Sequence, residues 1–132
     1  MSWILKFRSD NKGQAMIEFA LVFPFLMLFI LGIIEFGWLL NGQITLNSEA
    51  REGARVGAVV TTDRQTKVNE AVEETANLSG LTIISSPVAL ENDPVINKYN
   101  VVVTVNGRMT PIVGLFVTDD INMDAVAKMR RE

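Results

Sequence analysis

The stretch KGQAMIEFALVFPFLMLFILGIIEFGWLL, residues 12–40, decides the fold of this chain. It opens on Lys12 and Gly13, the end of a short basic leader that also carries Lys6 and Arg8. An apolar helix begins at once with Gln14, Ala15, Met16 and Ile17, and the sixteen residues Phe19–Ile34 hold no charge. As a helix those residues cover about 24 Å at ~1.5 Å of rise each, and beyond Glu35 the apolar character resumes to Leu40. Ala15–Leu40 is therefore long enough to span a bilayer. Pro24, in mid-span, lacks an N–H and is expected to kink the helix or leave a carbonyl unpaired. Trp38 suits the headgroup level at the far side.

Two carboxylates lie inside this stretch. An acid within a membrane helix costs roughly 2.5 kcal/mol or more, so Glu18, five residues after Gly13, points to a partner and hence to assembly within the membrane. The bland alternative is a carboxylate near enough to the interface to reach headgroups or water, or one that is protonated. For Glu35 two readings stand side by side. It is either a solvated charge at the outer interface or an intramembrane acid paired with another membrane component, depending on helix register and tilt.

Composition narrows the function classes. Residues 1–13 sum to +2 and residues 14–132 to −5 in side-chain charge, which gives no basic surface of the kind that nucleic-acid binding needs. The chain has no cysteine and no histidine. Disulfides, thiol nucleophiles, thiolate metal sites and the commonest general base are thereby removed. The excess of Lys and Arg ahead of the span places the N-terminus in the cytoplasm and the residues after about 41 outside. A cleaved secretory signal would end in a small-x-small site soon after its apolar core, whereas here Glu35-Phe36-Gly37-Trp38 follows. A plain anchor leaves Glu18 and the glycine unexplained. Cutting at Gly13, on the cytoplasmic side, accounts for the glycine, the basic leader and Glu18 together, and a glycine backbone fits closely into a peptidase cleft.

A basic leader ending in glycine, then four residues and Glu18-Phe19, resembles the class III signal of Tad/Flp pilus prepilins. The resemblance implies cleavage between Gly13 and Gln14 by a membrane aspartic prepilin peptidase. It also implies that Glu18, followed by Phe19, serves recognition and assembly, with the Glu18 carboxylate pairing with the freed N-terminal amine of a neighbouring subunit or supporting processing. Major Flp pilins usually carry tyrosine after the glutamate and are little more than the helix, whereas this chain has Phe19 and continues to residue 132. It is more similar to the TadE-like minor pilins, or pseudopilins. Their pattern is echoed by Glu18-Phe19-Ala20-Leu21, by Gly32-Ile33-Ile34-Glu35-Phe36-Gly37, by Ala50-Arg51-Glu52-Gly53-Ala54-Arg55 and by the closing Ala127-Lys128-Met129-Arg130-Arg131-Glu132. Gln14 departs from the phenylalanine that usually begins type II and type IV pseudopilins.

Beyond the span, the helix is expected to continue from Gln43 to about Val60. At 100° per residue, Leu46, Ala50, Gly53, Ala54 and Gly57 share one face, with Arg51, Glu52 and Arg55 opposite. Such a small-residue strip permits close approach of a neighbouring helix or, more simply, of the protein's own sheet. Thr62 with Gln65 three residues later reads as a capping box opening a second helix. Val68, Ala71, Val72, Thr75 and Ala76 form its apolar face, and Gly80 is a stop. Leu81–Leu90 leans to β structure, broken by Pro87, and Asn92-Asp93-Pro94 signals a turn. Tyr99, Val101, Val103 and Val105 alternate with Asn100, Val102 and Thr104 as a strand. Asn106-Gly107 is expected to start a turn, Pro111 and Gly114 a loop, and Ile121–Met129 alternates again. Asp119, Asp120 and Asp124 offer oxygen ligands for calcium, but the EF-hand spacing is missing and short acidic turns are ordinarily solvated.

The fold expected is α+β: a long N-terminal transmembrane helix, a short second helix and a small antiparallel sheet head. The division is a leader at 1–13, a membrane and assembly helix at 14–40, its extension at 41–60 and an extracytoplasmic head at 61–132. The expected function is that of a non-enzymatic minor pilin of a Tad/Flp-type pilus, supporting pilus biogenesis, adhesion or secretion, in a bacterial inner membrane or within the pilus itself. Its partners are expected to be the prepilin peptidase, other Tad/Flp pilins, an inner-membrane assembly platform and membrane lipid, with no nucleic acid, cofactor or metal. The alternatives are an unprocessed single-pass adaptor with an outer interaction domain, and a tethered hydrolase using the paired carboxylates.

Overall fold

A computed structural model describes residues 11–76, 81–94 and 98–131. A long helix, α1, runs Asn11–Val59 without interruption at Pro24. By contact the chain divides into two compact units, Met1–Ile34 and Glu35–Glu132.

The described part of the first unit is helix alone. Met16, Ile17, Phe19, Leu21, Val22 and Phe25 each expose more than half of their surface. Positions so closely spaced cannot share one stripe, so the helix is apolar all round, as a helix solvated by lipid must be. Within α1, Gly13–Val59 is long and apolar enough to cross a membrane, which fits a single-pass membrane protein.

The second unit contains the rest of α1, a second helix α2 (Arg64–Ala76), and four strands: β1 (Leu81–Ser85), β2 (Val88–Asp93), β3 (Lys98–Met109) and β4 (Ile121–Arg130). All pairings are antiparallel. β4 occupies one edge of β3 from Asn100↔Arg130 to Met109↔Ile121. The other edge is shared in tandem by β2, from Val88↔Val103 to Asp93↔Lys98, and by β1, from Leu81↔Met109 to Ser85↔Asn106. Pro87 separates β1 from β2 because it has no N–H to donate to the ladder. Its carbonyl still accepts from the Thr104 N–H at 3.1 Å.

The period of two places Val101, Val103, Val105, Gly107 and Met109 on one buried face of β3. Leu39, Leu46, Ala50, Ala54 and Ala58 of α1 and Val68 and Val72 of α2 pack there, with Leu81 and Ala125 from the flanking strands. Fully burying a valine or leucine stabilises by about 1.5–3 kcal/mol, so this shared core holds both helices to one side of the sheet. The architecture is the α+β arrangement expected from the sequence.

Two local expectations change. Asn106-Gly107 does not turn; β3 continues through both to Met109. Gly107 is needed for close approach, since a Cβ there would lie 3.0 Å from both Leu46 Cδ1 and Leu81 Cδ1. The Thr62/Gln65 capping box is not formed. Helix α2 begins at Arg64 after Asp63, whose φ is 54° and whose carbonyl accepts from the Lys67 N–H at 3.1 Å. The Gln65 amide is used elsewhere: it accepts from the Val88 N–H (3.1 Å) and donates to the Ser86 carbonyl (2.8 Å). It thus serves backbone groups that the break at Pro87 leaves off the ladder, where a capping box would have turned it back on its own helix. Gly80, the expected helix stop, lies outside the described residues.

Candidate functional site

The juncture at the start of α1 is built from Gly13, Gln14, Glu18 and Phe19. Gly13 is exposed, and a Cβ added there would meet nothing within 4 Å. Packing within the described residues therefore gives no reason for glycine at this position. The Gly13–Gln14 bond lies near the beginning of the described part of α1. Glu18 is exposed one turn on, and its Oε1 accepts from Gln14 Nε2 at 3.2 Å. Phe19 is 62% exposed and its ring meets Phe23 at 5.5 Å between centroids, tilted by 42°. Gln14, Glu18 and their apolar neighbours thus form a surface on which a lone carboxylate is turned outward.

Glu35 behaves otherwise. Its side chain is completely buried, so it is not the solvated charge offered by one sequence reading. Its Oε2 accepts from the Gly114 N–H at 3.0 Å, while Oε1 is buried with no hydrogen-bond partner among the described residues. Gly114 has φ +65°, a left-handed conformation that suits glycine. One turn along, Trp38 Nε1 donates to the Thr110 carbonyl at 3.2 Å. The indole is half-buried against the core. Gln43 Nε2 then donates to the Asp124 carbonyl at 3.1 Å. Glu35, Trp38 and Gln43 thus tie one side of α1 to the loop 110–120 and to β4. None of these ties was found from the sequence, because each partner is a backbone group 72 to 81 residues away.

The strip Ala50, Gly53, Ala54 and Gly57 is buried against the protein's own sheet and α2. A Cβ at Gly53 would lie 3.0 Å from Val72 and 3.2 Å from Val103, and one at Gly57 would lie 2.9 Å from Val101. Opposite, Arg55 Nε donates to Glu52 at 2.8 Å in an exposed pair that holds the Glu52 carboxyl below its usual range, chiefly through this hydrogen bond. Glu49 is nearly buried, and burial, helped by the charge on Glu52, pushes its carboxyl above the usual range.

Asp119, Asp120 and Asp124 do not converge into a catalytic or ligating set. Asp119 and Asp124 are exposed, and Asp120 faces Arg108 at 4.0 Å. Among the described residues no cluster of three His, Cys, Asp or Glu could hold a metal ion.

Comparison with known proteins reaches the N-terminal part of the chain. The family model described as TadE-like protein matches residues 13–55, from the glycine through Glu18 and Glu35 to Arg55. Over that stretch the chain is similar to TadE-like proteins. No curated protein and no solved structure matches the chain.

Proposed function

We propose that this chain, TadE-like over residues 13–55, is a minor pilin of a Tad/Flp-type pilus. It inserts with its N-terminus in the cytoplasm, and a prepilin peptidase cuts between Gly13 and Gln14. The mature helix then serves first as a membrane anchor and afterwards as the packing element for assembly with other pilins at an inner-membrane platform. The 61–132 head initiates, caps or regulates the filament and contributes to adhesion or secretion. No enzymatic step is involved.

The observation that carries this reading is Glu18, an outward-facing acid on a helix that is otherwise apolar all round. An unpaired charge in a low-dielectric layer gains most from an opposite charge close by. The amine freed at Gln14 of a neighbouring subunit has that charge, and a neighbour displaced along the axis by one helical turn, about 6 Å, brings it level with Glu18. Glu18→Ala and Glu18→Gln should leave the protein in the membrane while abolishing its cross-links to pilins and reducing piliation. Undiminished piliation and cross-linking in both variants would refute the assembly role.

A further inference from the structure

Residues 109–118 carry no charge, and the loop they form is held at both ends. Gly114 is bonded to Glu35, Thr110 to Trp38, and Val117 packs against the core. Between these ties Ile112, Leu115 and Phe116 remain 56%, 51% and 46% exposed. Three large apolar side chains turned outward within five residues are not accounted for by the folding of the head. Buried polar anchors that hold the backbone while apolar side chains face out indicate a surface meant to be covered.

The tie to Glu35 says what covers it. Glu35 follows in sequence directly on the uncharged run Phe19–Ile34, which as a helix covers about 24 Å of a hydrocarbon core roughly 30 Å thick, so the chain reaches the far edge of the core at this residue. A loop hydrogen-bonded to Glu35 and Trp38 lies at that level. The Gly114 N–H, which could not be left bare at such depth, is satisfied by Glu35. Resting on the membrane-spanning reading of α1, we propose that the 110–117 loop is a second membrane contact, seating Ile112, Leu115 and Phe116 at the headgroup–acyl boundary of the outer leaflet. The contact is apolar and is followed in the chain by the exposed Asp119 and Asp120, so it needs no anionic lipid. Trp38 and Glu35 act as positioning residues for it.

The chain has no cysteine, so single spin labels are clean reporters. Full-length Leu115→Cys and Phe116→Cys, labelled and reconstituted in phosphatidylcholine bilayers, should show a severalfold higher ratio of oxygen to nickel-chelate collisions than Val126→Cys, which is 60% exposed on the other face of the sheet. Phe25→Cys serves as the control for the span itself. Water-like values at 115 and 116 with a lipid-like value at 25 would overturn the loop contact while leaving the anchor intact. A value at 115 that turns water-like on dilution with lipid would place a second copy of the chain on the patch and overturn the lipid assignment equally.

Discussion

Replacing Gly57 by leucine tests how closely α1 lies on the sheet. A Cβ at this position would sit 2.9 Å from Val101 Cγ1 and 3.3 Å from Val68 Cγ2, and leucine adds three carbons beyond it. Both valines are fully buried. Val101 pairs with Leu90 on one side and Met129 on the other, so its backbone has little room to yield, and its β-branched side chain is stiff at χ1. Overpacking of this kind costs about 1–3 kcal/mol, sometimes more, and the first carbon alone is already too close, so the upper end applies. Leucine recovers about 0.8 kcal/mol through helix propensity. The net expectation is about 2 kcal/mol of lost stability, a sizeable part of the roughly 5–15 kcal/mol typical of a folded domain. With a urea slope of about 1–2 kcal/mol/M for a small unit, the midpoint should fall by roughly 1–2 M. The assay is urea unfolding of the full chain in detergent micelles, followed by Trp38 fluorescence in a Trp3→Phe background. Gly37→Ala is the counterpart, since nothing lies within 4 Å of its Cβ; it should stabilise by up to about 1 kcal/mol. An unchanged or raised midpoint for Gly57→Leu, or equal losses in both variants, would refute the packing argument.

Two further outcomes follow from the buried acids. Glu49 has a carboxyl raised above its usual range, so the stability it contributes is fully present below the unfolded-state value, about 4.3, and is lost as pH rises through the folded-state value. Glu49→Gln should therefore be more stable than the parent at pH 7, with the gap closing as the pH is lowered to about 4; a gap that is the same at both pH values would contradict this. Glu35→Ala should leave the Gly114 N–H without its acceptor, at a cost of about 1–3 kcal/mol, and speed hydrogen exchange at that amide. Glu35→Gln retains a carbonyl there and should preserve the protection, whereas equal protection in both would mean the tie is dispensable.

What the sequence made legible was mostly periodic. The alternation through Val101, Val103 and Val105, the second alternation from Ile121, and the small-residue strip from Ala50 to Gly57 each repeat at the period of their element, while Phe19–Ile34 was legible as an unbroken uncharged run. What stayed hidden depended on distant partners. Asn106-Gly107 has turn chemistry, but Leu46 and Leu81 need the space a side chain would fill, and that need is set in the tertiary structure. Gln65 has the spacing of a capping residue, yet the strand break at Pro87 supplies backbone groups that its amide meets instead. Glu35 and Trp38 carried no sign of the Gly114 and Thr110 backbone groups they bond, because a backbone N–H or carbonyl has no sequence signature. The juncture at Gly13 and Glu18 was visible for the opposite reason. Neither residue is accounted for by packing among the described residues, and the meaning proposed for both is processing and assembly.

The most direct test of that meaning is the intact mass and N-terminal sequence of the protein isolated from its native membranes, with and without the prepilin peptidase. A mature chain starting at Gln14 only when the peptidase is present is the result expected of a processed minor pilin. A chain that keeps residues 1–13 under both conditions would contradict it, leaving an unprocessed membrane adaptor with Glu18 unexplained.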